Sequence, residues 1–438
     1  MLVNFKVENF RSIKEVMELS FESTNLSSLL GNITNVSVAN NKSRNLLKTI
    51  SIYGPNASGK SNLIKAMSLM KLMVVNSNNI NKGDSLVFDP FKLDLSFAEK
   101  PTSFEISLIL NGVLYEYGFK YNSSIILKEY LYYYPNGRKS LIFERDNNNS
   151  CVEELGCYKF TIDKTKQEFI SSMTSRNKLY LSVATNLEYD KTQNVFDWIN
   201  DKLVIHTTSD DSWGRYTTDQ LNNSTSKDRI LTFLKAADFN INNIETTQSK
   251  IQISDNSLEE MKEILKDEAI NKLLDMKELT EIRTFKTGID KEGNYIDVEF
   301  DINSESDGTL KFYELAGPVI DMLTRGCCLI YDELDTKLHP NLMLFLVKLF
   351  NKNKSNAQMV FSTHNVITLD QKYLRRDQVY LVDLLRDGSS ELYSLIDFKE
   401  EKKSSNISKR YLTGRYQAVP YIDEDMVIES IMENLNGA

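Results

Sequence analysis

Eight consecutive residues, Gly54-Pro55-Asn56-Ala57-Ser58-Gly59-Lys60-Ser61, have the types and spacing that hold a chain of phosphates. They fit GxxxxGK[ST] without a gap, after a short apolar run and before a helical pattern, the context a phosphate loop requires. In such a loop the backbone N–H groups surround the phosphates, and the start of the following helix adds positive potential. The readings are specific: Gly54, Asn56, Ala57, Ser58 and Gly59 line the cradle, Lys60 neutralises the β- and γ-phosphates, and the Ser61 hydroxyl ligates Mg²⁺. The ligand so predicted is ATP, with Mg²⁺.

A second segment, Cys328-Leu329-Ile330-Tyr331-Asp332-Glu333, is an apolar strand ending in two acids. This is the Walker B form, in which Asp332 joins Ser61 in the Mg²⁺ shell. Glu333 then points differently and can polarise an attacking water. Alone, such a run could equally be a solvated strand end; the phosphate loop gives it meaning. Three further stretches bear on the same chemistry: Asp335-Thr336-Lys337-Leu338-His339-Pro340 directly after these acids, Phe361-Ser362-Thr363-His364-Asn365, and Asn303 to Thr309. His364, one of three histidines, ends a predicted strand where it can contact the γ-phosphate and the water. Ser306 and Gly308 form a turn before a helix, another anion-binding arrangement.

The elements that must position these residues are legible in outline. Leu2 to Phe21 reads as two strands, Thr49 to Tyr53 as a buried parallel strand, and Asn62 to Met73 as a helix with apolar Leu63, Ile64, Met67 and Met70. From Phe88 to Tyr134 the period becomes two, with turns at Asn111-Gly112 and Asn136-Gly137, which predicts an antiparallel meander. The five tyrosines from Tyr121 to Tyr134 could stack bases, but at strand spacing they read as sheet packing. Residues 164–286 read as mostly helical, Leu258 to Leu279 being the clearest amphipathic piece. Strand returns at Tyr295 to Ile302, followed by α/β layering: helix over 310–323, strand over 327–331, helix over 339–351, strands over 358–362 and 379–383. The predicted class is α/β, a mixed sheet core with helices, an antiparallel β lobe and a helical insertion. The predicted segments are 1–87 and 291–438 as the two halves of the core, 88–162 as the lobe and 163–290 as the insertion.

Composition narrows the setting. No run approaches the ~18 apolar residues of a membrane-spanning helix, and the first seven residues alternate like a strand rather than a signal peptide. Four cysteines without a CxxC pair, and three histidines, argue against structural zinc and predict a reducing, cytoplasmic setting. The 52 basic and 61 acidic residues leave a net charge of −9, which argues against a surface wrapped in nucleic acid. The basic clusters Arg375-Arg376, Lys402-Lys403 and Lys409-Arg410 read as solvated faces, although a groove for DNA or RNA could use them.

Together these segments resemble the ABC-type ATPase heads, in the branch that holds RecF, the SMC-like proteins and the overcoming-lysogenisation-defect family. The resemblance implies a homodimer sandwiching two ATP molecules. It makes Ser306 and Gly308 a degenerate signature that reaches the partner's nucleotide, Asp335 part of the D-loop, and His364 the switch histidine. Asn9-Phe10-Arg11-Ser12 resembles that branch's opening turn, which implies that Arg11 lies near the nucleotide. LSGGQ is absent, and Phe88-Asp89-Pro90-Phe91 stands where a glutamine loop is expected. The stretches 374–379 and 411–420 resemble RloA-like and abortive-infection ATPases that carry AAA labels, which implies an anti-phage switch acting through a separate nuclease or toxin. A RecF- or SMC-like role in DNA maintenance is the alternative; the expected long coiled coils are missing. A fused Toprim nuclease is not expected, too little chain following Val379, and a transporter subunit is disfavoured by the lobe and the signature.

Overall fold

The computed structural model describes residues 1–147, 157–207, 212–237, 239–250, 278–399, 405–420, 423–426 and 428. The chain divides into two compact units: Met1–Thr208 with Met322–Thr336 and Met343–Ala438, and Ser209–Asp321 with Lys337–Leu342.

The first unit is built around a six-stranded sheet. Its strands, in spatial order, are Leu203–His206, Cys328–Tyr331, Gln358–Ser362, Thr49–Tyr53, Val379–Leu384 and Ser390–Ser394. The first five run parallel and the last is antiparallel. Thr49–Tyr53, Cys328–Tyr331 and Gln358–Ser362 are buried along their whole length, as central strands of a parallel sheet are, with Thr49, Ser51, Gln358 and Ser362 as buried polar residues among them. The helix Lys60–Asn76 buries Leu63, Ile64, Met67, Met70 and Val74 in the same core.

The antiparallel lobe is a seven-stranded sheet in the order Cys157–Phe160, Ser140–Asp146, Ile126–Tyr133, Val113–Tyr121, Thr102–Leu110, Leu2–Glu8 and Met17–Ser20. The meander expected from the period-two pattern is there, joined by the two N-terminal strands. Tyr130, Tyr132 and Tyr134 donate their hydroxyls to Glu105, Glu144 and Glu116, and Tyr121 is buried. These tyrosines pack and brace the sheet, as expected. Gln358 stitches the two sheets: its amide accepts from Leu2 N at 2.7 Å and donates to the carbonyls of Leu2 (3.0 Å) and Leu47 (3.2 Å).

The second unit contains the helices Ser212–Gln220 and Ser224–Lys235, the beginning of the helix Asp307–Arg325, and a three-stranded sheet of Asn243–Lys250, Glu278–Ile289 and Tyr295–Asp301. Phe233 stacks on Phe312 at 4.6 Å between ring centres.

The helical reading of 164–286 is corrected in three places. Leu203–His206 is a strand of the core sheet: four residues are too few to show a helical period, and the run sits parallel to Cys328–Tyr331. Asn243–Lys250 and Glu278–Ile289 are strands as well, paired along eight positions. Of the amphipathic piece at 258–279, residues 258–277 lie outside the described residues, and the remaining two open a strand. The polar stretch after Phe21 conceals a hairpin, Ile33–Val38 with Lys42–Leu47, turned by Asn40 and Asn41 at φ 62° and 53°. That Asn-Asn pair, tolerant of left-handed backbone, was the available signal.

A second correction concerns charge. Arg375, read as half of a solvated basic cluster, is 1% exposed. Its guanidinium binds Asp377 and donates to the carbonyls of Thr24, Leu26 and Ser28. Gln378 beside it donates to Thr49 O and to Thr49 Oγ1, at the foot of the strand leading to the phosphate loop. The 374–379 stretch is thus internal scaffolding. No helix among the described residues is long and apolar enough to cross a membrane.

Candidate nucleotide site

Gly54 to Ser61 connects the end of the central strand Thr49–Tyr53 to the helix starting at Lys60. Gly59 has φ 109°, and a side-chain carbon there would stand 2.1 Å from Ser390 Oγ and 2.8 Å from Ser12 Oγ. Both the backbone angle and the crowding demand glycine. At Gly54 a side-chain carbon would stand 2.3 Å from the Val382 carbonyl oxygen, so the neighbouring strand end fixes the other limb.

Lys60 is 7% exposed and donates to the carbonyls of Gly54 (2.9 Å) and Pro55 (3.0 Å), inside its own loop. Burial lowers its pKa, and the carboxylates of Asp332, Glu333 and Asp335 oppose that shift. The same three carboxylates act on His364, where partial loss of hydration and then the Lys60 ammonium hold the imidazole below its usual pKa. The predicted cation, acids and histidine therefore occupy one electrostatic neighbourhood.

Asp332 is 6% exposed, and its Oδ1 accepts from Ser362 Oγ at 2.6 Å. Glu333 adopts φ 56°, a left-handed conformation costing roughly 1–2 kcal/mol for such a residue. Its N–H donates to Ser362 Oγ at 2.7 Å, and Leu334 N donates to Ser362 O at 3.0 Å. The backbone N–H of His364 donates to Asp335 Oδ2 at 3.2 Å.

Two buried oxygens here lack protein partners: Ser58 Oγ in the phosphate loop and Asp335 Oδ1. An orphaned hydroxyl in a loop of backbone donors, with a buried lysine beside it, fits a polyphosphate that would accept from it. The hard oxygen donors Ser61 and Asp332 suit a cation that takes its other ligands from phosphate and water.

Arg11 lies at φ 51°, its N–H donating to Asp89 O at 2.8 Å and its Nε 3.0 Å from Asp89 Oδ2. The turn reaches the loop through Ser12. Ser12 Oγ accepts from Asn62 Nδ2 at 2.7 Å, and Ser390 Oγ lies 2.7 Å from it and 2.6 Å from Ser58 O. The Arg11–Asp89 pair is therefore the place where the opening turn meets the segment 88–91. Tyr411, from the C-terminal stretch, packs its ring 5.7 Å from that of Tyr53 and donates to Ala418 O.

Ser306 and Gly308 belong to the second unit. Ser306 Oγ accepts from Thr309 N at 3.2 Å, capping the helix that follows, and a side-chain carbon on Gly308 would stand 3.1 Å from Lys337 O. Sequence reasoning missed Ser12, Asn62, Ser362 and Ser390. Ser12 and Ser362 lie inside quoted motifs; for Asn62 and Ser390 only the fold reveals the contact.

A model of the family described as "AAA domain, putative AbiEii toxin, Type IV TA system" matches residues 50–370, and the chain belongs to that family. Three solved structures are similar at low identity. An SMC head bound to the C-terminal winged-helix domain of ScpA has 13% identity, TM-score 0.42, and covers 90% of this chain and 97% of its own. The SMC head domain from Thermotoga maritima has 14% identity, TM-score 0.38, and covers 90% and 98%. A Pyrococcus furiosus SMC head with an extended coiled coil, bound to the ScpA C-terminal domain, has 12% identity, TM-score 0.36, and covers 90% and 96%. No significant match was found among curated proteins.

His364 makes a pH prediction. Its folded pKa is lowered, so as pH falls through the ordinary histidine range near ~6.5 the unfolded chain takes up a proton first. Stability should therefore decline as pH falls below about 6.5. Urea midpoints at pH 5.5 and 7.5, compared with those of His364→Gln, measure that share; an unchanged difference in the variant would remove His364 as its source.

Proposed function

We propose that the chain is an Mg²⁺-dependent ATPase whose ATP-bound form is a homodimer, serving as the switch of an anti-phage system that acts through a separate effector protein. The supporting observation is that Lys60, Asp332, Glu333 and His364 follow the ends of three adjacent parallel strands, Thr49–Tyr53, Cys328–Tyr331 and Gln358–Ser362. The family's description, with its putative AbiEii toxin, supports the defence setting.

In this reading the loop N–H groups and Ser58 hold the phosphates, and Lys60 exchanges its two loop carbonyls for β- and γ-phosphate oxygens. Ser61 and Asp332 would hold the cation, which when bound offsets phosphate charge in the transition state. Glu333 orients the attacking water and takes its proton, and His364 donates to the γ-phosphate. Ser306 and Gly308 complete the partner's site, placing a capped helix start against the γ-phosphate.

Phosphate release from ATP with and without Mg²⁺ tests the activity. Light scattering with and without ATP tests the dimer. Ser306→Arg should abolish ATP-dependent dimerisation and leave nucleotide binding by the monomer within about twofold, since the loop itself is untouched. Dimers formed normally by that variant would take Ser306 out of the interface.

A further inference from the structure

We propose that Ser362 is a positioning residue of the hydrolytic site: its single hydroxyl sets the orientation of both acids that follow the Cys328–Tyr331 strand. The inference rests on the ATPase reading above and assigns a residue that the reading leaves without a role.

The geometry is a relay of two hydrogen bonds. Glu333 N donates to Ser362 Oγ at 2.7 Å, and Ser362 Oγ donates to Asp332 Oδ1 at 2.6 Å. A serine hydroxyl has one proton to give, and here it goes to Asp332, which fixes the direction of the relay. Ser362 is 0% exposed, so solvent does not compete for that proton. The bond to Oδ1 holds the Asp332 carboxylate in one orientation toward a cation or its water shell, in the manner of hydrogen-bonded carboxylate ligands. At the other end, the bond from Glu333 N holds that residue at φ 56°, a conformation that an unrestrained glutamate rarely keeps. The turn that aims the Glu333 side chain therefore depends on the hydroxyl that aims Asp332.

The placement follows from the sheet. Gln358–Ser362 pairs in parallel with Cys328–Tyr331, Tyr331 opposite Phe361, so residue 362 falls beside residues 332 and 333 as both strands end. Ser362 O also accepts from Leu334 N at 3.0 Å, and two residues on, His364 N donates to Asp335 Oδ2 at 3.2 Å. One strand end thus clasps four successive residues of the acidic turn, from Asp332 to Asp335. Of these clasps only the relay runs through a side chain of residue 362, so substitution removes it and leaves the backbone bonds in place.

The test compares Ser362→Ala and Ser362→Thr with the parent full-length chain. In the absence of metal and nucleotide, hydrogen exchange at the Glu333 amide should quicken at least about tenfold in Ser362→Ala, and Ser362→Thr should restore protection. With a non-hydrolysable ATP analogue, Mn²⁺ affinity read by electron paramagnetic resonance should fall about ten- to hundredfold in Ser362→Ala, as for other partners of metal ligands. Analogue binding in EDTA should stay within twofold, and kcat should fall with little change in KM. Parent-like exchange and parent-like Mn²⁺ affinity in Ser362→Ala would overturn the inference. So would a Ser362→Thr variant that folds but behaves as Ser362→Ala. If the parent chain binds the analogue but releases no phosphate, the ATPase reading fails, and the exchange and Mn²⁺ ratios still decide the role of Ser362.

Discussion

Glu333→Gln should bind ATP as the parent does, within about twofold, while turnover drops at least about a hundredfold, the scale of losing a positioned general base. The substitution is close to isosteric. The N–H of residue 333 still donates to Ser362 Oγ, and the side-chain amide oxygen can still accept from Thr336 Oγ1, which lies 3.3 Å from Glu333 Oε2. What disappears is the capacity to take a proton from water. The loop, Lys60 and Asp332 are untouched, so nucleotide enters and stays. With hydrolysis blocked, the ATP-bound dimer should accumulate and appear by light scattering at ATP concentrations where the parent shows a mixture. Turnover by this variant at the parental rate would remove Glu333 as the base and leave the phosphate-binding assignments standing.

The second large effect is on stability. Arg375→Met should cost about 3–5 kcal/mol, the usual penalty for leaving half of a buried ion pair behind. Asp377 is 3% exposed and would lose its cationic partner, keeping the bonds it accepts from Thr24 N and Thr24 Oγ1. The carbonyls of Thr24, Leu26 and Ser28 would also lose their shared partner. The double variant Arg375→Met with Asp377→Leu should recover part of the loss, because no charge then remains alone in the interior. Arg376→Ala, whose guanidinium reaches Phe398 O at 3.4 Å, should cost about 1 kcal/mol or less. Urea midpoints for the three variants measure these differences, and equal effects at 375 and 376 would contradict the burial seen at Arg375.

These two residues also mark what a sequence offers by itself and what it withholds. Glu333 could be picked out because the chemistry demands an acid immediately after Asp332, at the end of an apolar strand, and the parallel sheet places it there. The loop, both acids and His364 stand out as candidates for the same reason: phosphate chemistry restricts residue type and local spacing together, and the fold sets them after neighbouring strands. Arg375 was misread because a pair of arginines says nothing about burial; its partners at 24 to 28 are some 350 positions away in the chain. Ser390 beside Ser58 is hidden in the same way, at a separation of 332 residues. The strand at Leu203–His206 was missed because its pairing with Cys328–Tyr331 supplies most of its reason to be a strand. Local pattern reveals chemistry that is local, and the contacts that hold it in place are mostly not.

The turn at Asn9 to Ser12 has one further consequence, for communication across the first unit. Ser12 is bonded to the helix behind the phosphate loop, whereas Arg11 is paired with Asp89. Asn9 grips the following stretch at three points: it accepts from Phe91 N and donates to the carbonyls of Phe97 and Lys100. That stretch carries Leu93 and Leu95, which are 73% and 86% exposed. Four consecutive residues thus link the helix behind the phosphate loop to a segment with exposed apolar side chains. If binding at one end altered the free energy of moving the other, linkage would make that influence equal in both directions.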